Sequence, residues 1–149
     1  MDPKNSLVLV GTDFSDPARA ALDWAIELAG PLGSRILLAY VYDLPLAGLP
    51  DATLMVDAAT AARMSDEAQK SLDAEVARVR ERGVSVEGHL RQGDAREVLP
   101  QMAVSMNAWL VIVGSHGRRG IARALMGSVA ESVMRASTVP VAVIRTRRT

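Results

Sequence analysis

The segment Trp109-Leu110-Val111-Ile112-Val113-Gly114-Ser115-His116-Gly117-Arg118-Arg119-Gly120-Ile121-Ala122-Arg123-Ala124-Leu125-Met126-Gly127-Ser128 joins three patterns in a fixed order. Trp109 to Val113 is a wholly apolar run, as expected of a strand buried on both faces. A glycine-rich loop follows, and Ser128 opens a helical pattern. Glycines let the backbone approach a ligand closely and take positive φ. A helix start supplies unpaired N–H donors and a partial positive charge. Strand, glycine loop and helix start together make a corner that can accept an anion. Arg118, Arg119 and Arg123 lie in the same loop, either as phosphate contacts or as solvated charges.

Outward from this corner the chain alternates strands and helices. Leu7-Val8-Leu9-Val10 and Ile36-Leu37-Leu38-Ala39-Tyr40-Val41 are further apolar runs read as buried strands. Between them, Asp16 can cap a helix with Pro17 at its first position, and Gly30-Pro31 and Gly33 mark its end. Residues 44–52 read as a loop. A long helix starting somewhere in 53–63 carries the apolar stripe Met64, Ala68, Leu72, Val76 and Val79 and stops at Gly83. Val84 to Arg91 alternates apolar and polar residues, so one face is wet and the strand belongs at an edge. Asp94 and Glu97 have capping-box spacing for a third helix, in which Pro100 predicts a kink or a displaced start. Ser128 and Glu131 repeat that spacing for a fourth. Val139 to Ile144 is the last strand, and Pro140 near its start suits an edge.

This alternation implies an α/β fold: one domain over residues 1–149, with an open five-stranded parallel sheet and helices on both faces, in the Rossmann-like manner. Apolar strands one, two and four belong in the centre and strands three and five at the edges, which gives the order 3-2-1-4-5. That order brings the carboxyl ends of strands one and four together where the winding reverses, the usual ligand crevice of such sheets. Asp13 ends the first strand and Gly114 the fourth, so two distant polar features converge there.

Composition narrows the function. Lysine plus arginine equals aspartate plus glutamate, 17 each, so no global charge draws the chain to nucleic acid or an anionic membrane. Cysteine is absent, which excludes disulfides, thiolate metal sites and a cysteine nucleophile. The polar start Met1 to Asn5 does not resemble a signal peptide, and no apolar run nears the roughly 20 residues that span a bilayer. A cytoplasmic protein is expected. Two isolated histidines, His89 and His116, offer no metal-ligand spacing. His116 invites a catalytic reading, but no acid partner is evident and a structural role is expected.

The spacing Gly114-x2-Gly117-x9-Gly127-Ser128 resembles the nucleotide-binding motif of ATP-binding universal stress proteins. Leu7 to Ser15, the alanine-rich first helix, Leu37 to Val41, and Gly127 to Val133 through Val139 to Ile144 resemble the same family. The resemblance implies ATP binding and dimerisation through strand five. It implies contact of Asp13 with ribose or adenine and of Val41 with adenine. Gly114, Gly117, Gly127 and Ser128 would hold the phosphates, with Mg²⁺ bridging them and Val129 adding a helix N–H. Thr12 and Val113 would flank the site. Gly11, where many members carry proline or another residue, and Pro100 depart from the pattern.

Each assignment has a plainer competitor. The glycines could serve turn chemistry alone, Ser128 could cap its own helix, and Asp13 could merely support the turn before the first helix. The chain lacks a Gly-Lys-Ser/Thr P-loop, so the lysine that usually reaches the β- and γ-phosphates is missing and hydrolysis should be slow. An ATP-binding regulatory or stress-response protein is therefore expected. The alternatives are an ATP-dependent ligase or transferase and an interaction module with a vestigial site. An exposed edge bearing Val141 and Val143 independently favours a homodimer.

Overall fold

The computed structural model describes residues 6–43, 57–116 and 126–146. In chain order these form β1 (Leu7–Thr12), α1 (Asp16–Leu32), β2 (Arg35–Tyr42), α2 (Ala58–Glu81), β3 (Val86–Gln92), α3 (Ala95–Ser105), β4 (Ala108–Gly114), α4 (Ser128–Ala136) and β5 (Val141–Ile144). The sheet runs β3-β2-β1-β4-β5, as the apolar runs and the alternating strand predict. Every pairing is parallel, with Val10 opposite Leu38 on one side and Ile112 on the other.

Period-two alternation along the central strands builds two cores. Val8, Val10, Ile36, Leu38, Leu110 and Ile112 face α1 and α2, meeting Leu22, Ile26, Leu72 and Val79. Leu9, Leu37, Val111 and Val113 face α3 and α4, meeting Leu99, Met102, Ala103 and Val133. β1 is buried along its whole length, whereas all four residues of β5 are half-buried. Burial on both faces explains why the central strands lack polar alternation.

The helix ends refine several sequence expectations. α1 is capped by Ser15, whose hydroxyl accepts from the Ala18 N–H, and Asp16 sits inside the first turn. Its carboxylate still favours the positive helix end there. Gly33 closes α1 at φ 64°, where its N–H reaches back to the last turn. α2 begins at Ala58 with the Asp57 carboxylate capping Thr60. Asp94 caps α3, which runs through Pro100 without a displaced start. β5 starts two residues later than expected; Pro140 lies just before it and still supplies a carbonyl to the Val111 N–H. Among the described residues no helix is long and apolar enough to cross a membrane.

Candidate functional site

β1 and β4 are neighbours, and the chain leaves them for opposite faces of the sheet, toward α1 and toward α4. Their carboxyl ends open into a cleft of about 830 Å³, a size suited to a small-molecule ligand. Thr12, Asp13, Val41, Val113, Gly114, Gly127, Ser128 and Val129 all line it. Gly117 and Arg118 lie outside the described residues, as do Arg119 and Arg123.

The turn after β1 aims Asp13 into this space. Phe14 adopts φ 63°, an uncommon conformation for a bulky residue. Side chains on either side hold it there. The Phe14 N–H donates to Thr12 Oγ1 at 3.0 Å, and the Ser15 N–H donates to Asp13 Oδ1 at 3.0 Å. Ser15 Oγ also donates to Asp13 Oδ1. Asp13 therefore supports the turn and lines the cleft at once. The Phe14 ring meets Tyr40 edge-on, with centroids 4.6 Å apart, which anchors the turn to β2.

Across the cleft, the start of α4 differs from the capping box read from sequence. Gly127 is the N-cap, with no side-chain capping bond, and Ser128 is the first helical residue. The Gly127 N–H donates to the Ser115 carbonyl at 2.6 Å, and the Glu131 N–H donates to the Gly127 carbonyl at 3.0 Å. By position, the N–H groups of Ser128, Val129 and Ala130 have no intrahelical acceptor. All three residues line the cleft. The arrangement offers donors with no backbone acceptor among the described residues, a helix dipole and a hydroxyl not spent on capping, which suits an anionic group.

Gly114 has a packing reason of its own to be glycine, beside the expected close approach of a ligand. A Cβ there would lie 2.7 Å from the Pro17 carbonyl carbon and oxygen and 2.9 Å from the Ala18 nitrogen. The bare backbone lets the first turn of α1 press against the end of β4. Gly11 is less constrained: a Cβ there would meet Leu99 Cδ1 at 2.8 Å, a side-chain end that can shift aside.

Sequence reasoning missed the far wall. Tyr40, Tyr42, Met64 and Ala68 line the cleft from β2 and α2, and Asp94 and Arg96 from the start of α3. Arg96 Nε donates to both Asp94 carboxylate oxygens at 2.9 Å. This side-chain pairing, and the Arg96 N–H, hold the Asp94 carboxyl below the usual aspartate range, against a smaller opposing effect of burial. No periodicity signals such a wall, because it is assembled from three elements. Among the described residues no group of three His, Cys, Asp or Glu side chains is placed to hold a metal ion.

The winding reversal and the crevice outside the strand ends define a doubly wound α/β protein with a ligand-sized cleft. Residues 5–145 match the model of the universal stress protein family, and the chain belongs to that family. It is 28% identical over 139 residues to universal stress protein MJ0531 of Methanocaldococcus jannaschii, covering 93% of this chain and 81% of that one. Against universal stress protein Rv2005c of Mycobacterium tuberculosis identity is 32% over 145 residues, covering 97% of this chain; the chain spans about half (47%) of that protein's length. A universal stress protein solved in complex with cAMP superimposes with a TM-score of 0.70 at 27% identity, covering 95% of this chain and 98% of that one.

Proposed function

We propose that this chain binds ATP in the cleft and acts as a regulatory universal stress protein in the cytoplasm, without dedicated substrate chemistry. The observation that carries the reading is the pairing of complementary polar groups across one crevice. N–H groups of Ser128, Val129 and Ala130, without an intrahelical acceptor, stand on one side and the Asp13 carboxylate on the other. Phosphate oxygens accept hydrogen bonds, so they belong at the start of α4 with Gly127 and the Ser128 hydroxyl. Ribose hydroxyls donate, so they belong beside Asp13. Adenine then lies toward Val41, with Thr12, Val113 and Gly114 closing the floor. Gly117 and Arg118 complete the phosphate loop. A relative of the same fold, described in complex with cAMP, binds an adenine nucleotide.

Mg²⁺ would accompany the phosphates and neutralise part of their charge, and the Ser128 hydroxyl would be a protein oxygen available to it. The chain acts as one domain and pairs with a second copy through β5, engaging neither nucleic acid nor membrane. Titration calorimetry tests the reading directly. Mg-ATP should bind saturably, one per chain, and far more tightly than adenosine, which lacks the phosphates. Absence of heat at millimolar Mg-ATP would overturn it.

A further inference from the structure

The apolar stripe of α2, Met64, Ala68, Leu72, Val76 and Val79, recurs every three or four residues and so lies on one face of the helix. It has two kinds of surroundings. Leu72, Val76 and Val79 are buried in the core shared with β1, β2, β3 and α1. Gly88 of β3 lets them close in, since a Cβ there would lie 2.9 Å from Val76 Cγ2 and 3.2 Å from Leu72 Cγ. Ala68 and Met64, one and two turns before Leu72, line the cleft instead. The stripe that seals the core therefore runs on past the strand ends into the ligand space. Tyr40, which packs against the same core and also lines the cleft, continues this apolar wall.

The two halves of α2 are held differently. Beyond Leu72 the helix is fastened to α1. Arg78 Nη1 donates to Asp23 Oδ1 at 2.8 Å, Arg82 Nη1 donates to the same oxygen at 3.2 Å, and Arg19 Nε donates to Glu75 Oε1 at 3.2 Å. Over residues 58–67 no residue is buried. The support there is local: alanine at 58, 59, 61 and 62, the Asp57 carboxylate accepting from the Thr60 N–H at 2.7 Å, and Arg63 Nη2 donating to Thr60 Oγ1 at 3.4 Å. Local support alone leaves a short helical segment marginal in water, so these turns gain most from a further partner.

We infer that the nucleotide is that partner: Met64 packs on the face of the base, and the first turns of α2 firm up over the ligand. A thioether is polarizable and adaptable and makes favourable contacts with aromatic rings. Val41 belongs to the core on the α3 side of the sheet and Met64 to the stripe on the α2 side, so the two bracket the base. The inference rests on the nucleotide reading of the cleft and adds a ligand contact from an element that the glycine motif does not reach.

Hydrogen exchange and calorimetry on the parent and on Met64→Ala test it. Alanine is the strongest helix former, so the variant keeps α2 and loses only the side chain. In the parent without ligand, amides 61–68 should exchange faster than amides 72–79. On saturation with Mg-ATP, exchange at 61–68 should slow by at least about tenfold, as expected when a locally opening segment gains a partner. Met64→Ala should lose about fivefold in affinity for Mg-ATP and for adenosine alike, since both carry the base. It should also lose most of the protection that ligand confers on 61–68. Unchanged exchange at 61–68 in the saturated parent, or equal affinities of parent and Met64→Ala, would overturn the inference and leave the nucleotide reading standing. A loss for Mg-ATP without one for adenosine would place Met64 away from the base and overturn it too. A parent that binds no Mg-ATP would overturn both.

Discussion

At Ser128 the hydroxyl and the helix behind it are uncoupled. Because Gly127 occupies the N-cap, Ser128 contributes no capping bond to α4. Replacing a capping serine by alanine ordinarily costs about 1 kcal/mol. Ser128→Ala should therefore leave the chemical-denaturation midpoint within experimental scatter of the parent. The same variant should lose about tenfold in Mg-ATP affinity, since a hydroxyl facing a charged phosphate contributes about 1.5–3 kcal/mol. A matched fall in stability would restore the capping role. From sequence, Ser128 and Gly127 could not be told apart as caps, because both residue types are favoured there and they are adjacent. Ser15 and Asp16 presented the same ambiguity at α1. Gly114 and His116 were legible as residues of interest, but not in their particulars. The clash that demands glycine at 114 comes from Pro17, and the buried state of His116 Nε2 from the tertiary structure around it.

α3 joins stability to the cleft through one carboxylate. Asp94 caps the helix at the Arg96 N–H, pairs with the Arg96 guanidinium and lines the cleft. Its pKa is held below the ordinary 3.8, chiefly by the Arg96 side chain. A depressed carboxylate stabilises the fold fully above its unfolded-state pKa, and the contribution disappears as pH falls through the folded-state value. Denaturation of parent and Asp94→Ala should differ by about 1 kcal/mol at neutral pH, the usual worth of such a cap. The difference should shrink as pH drops below 3.8. A pH-independent difference would assign the effect to packing instead. The capping residue was readable from its spacing ahead of the apolar positions. The start of α2 was not fixed, although Asp57 and Thr60 carry the needed pattern. Glu75 lies off the apolar stripe read for that helix, yet it is buried at 8% exposure. Arg19 of α1 and Arg78 of α2 reach it there, a partnership between helices that no local period announces.

The whole molecule was the most legible level. Apolar runs at 7–10, 36–41 and 109–113 against alternation at 84–91 separate central from edge strands, and parallel pairing then leaves the order 3-2-1-4-5. The same order leaves β5 with one unpaired side. Pro140 and Ile144 direct their carbonyls to Val111 and Ser115, so by alternation the Val143 N–H faces outward. Val143→Pro removes that donor and spares the β4 ladder. Light scattering at micromolar concentration should give a dimer for the parent and a folded monomer for Val143→Pro. A monomeric parent would contradict pairing through β5.

The central claim is that segments a hundred residues apart form one adenine-nucleotide cleft, and an amide ¹H–¹⁵N titration with Mg-ATP tests it most directly. Thr12, Asp13 and Val41 on one side, and Gly127, Ser128 and Val129 on the other, should shift together and saturate with a single dissociation constant. Shifts confined to one segment, or none at millimolar Mg-ATP, would contradict it.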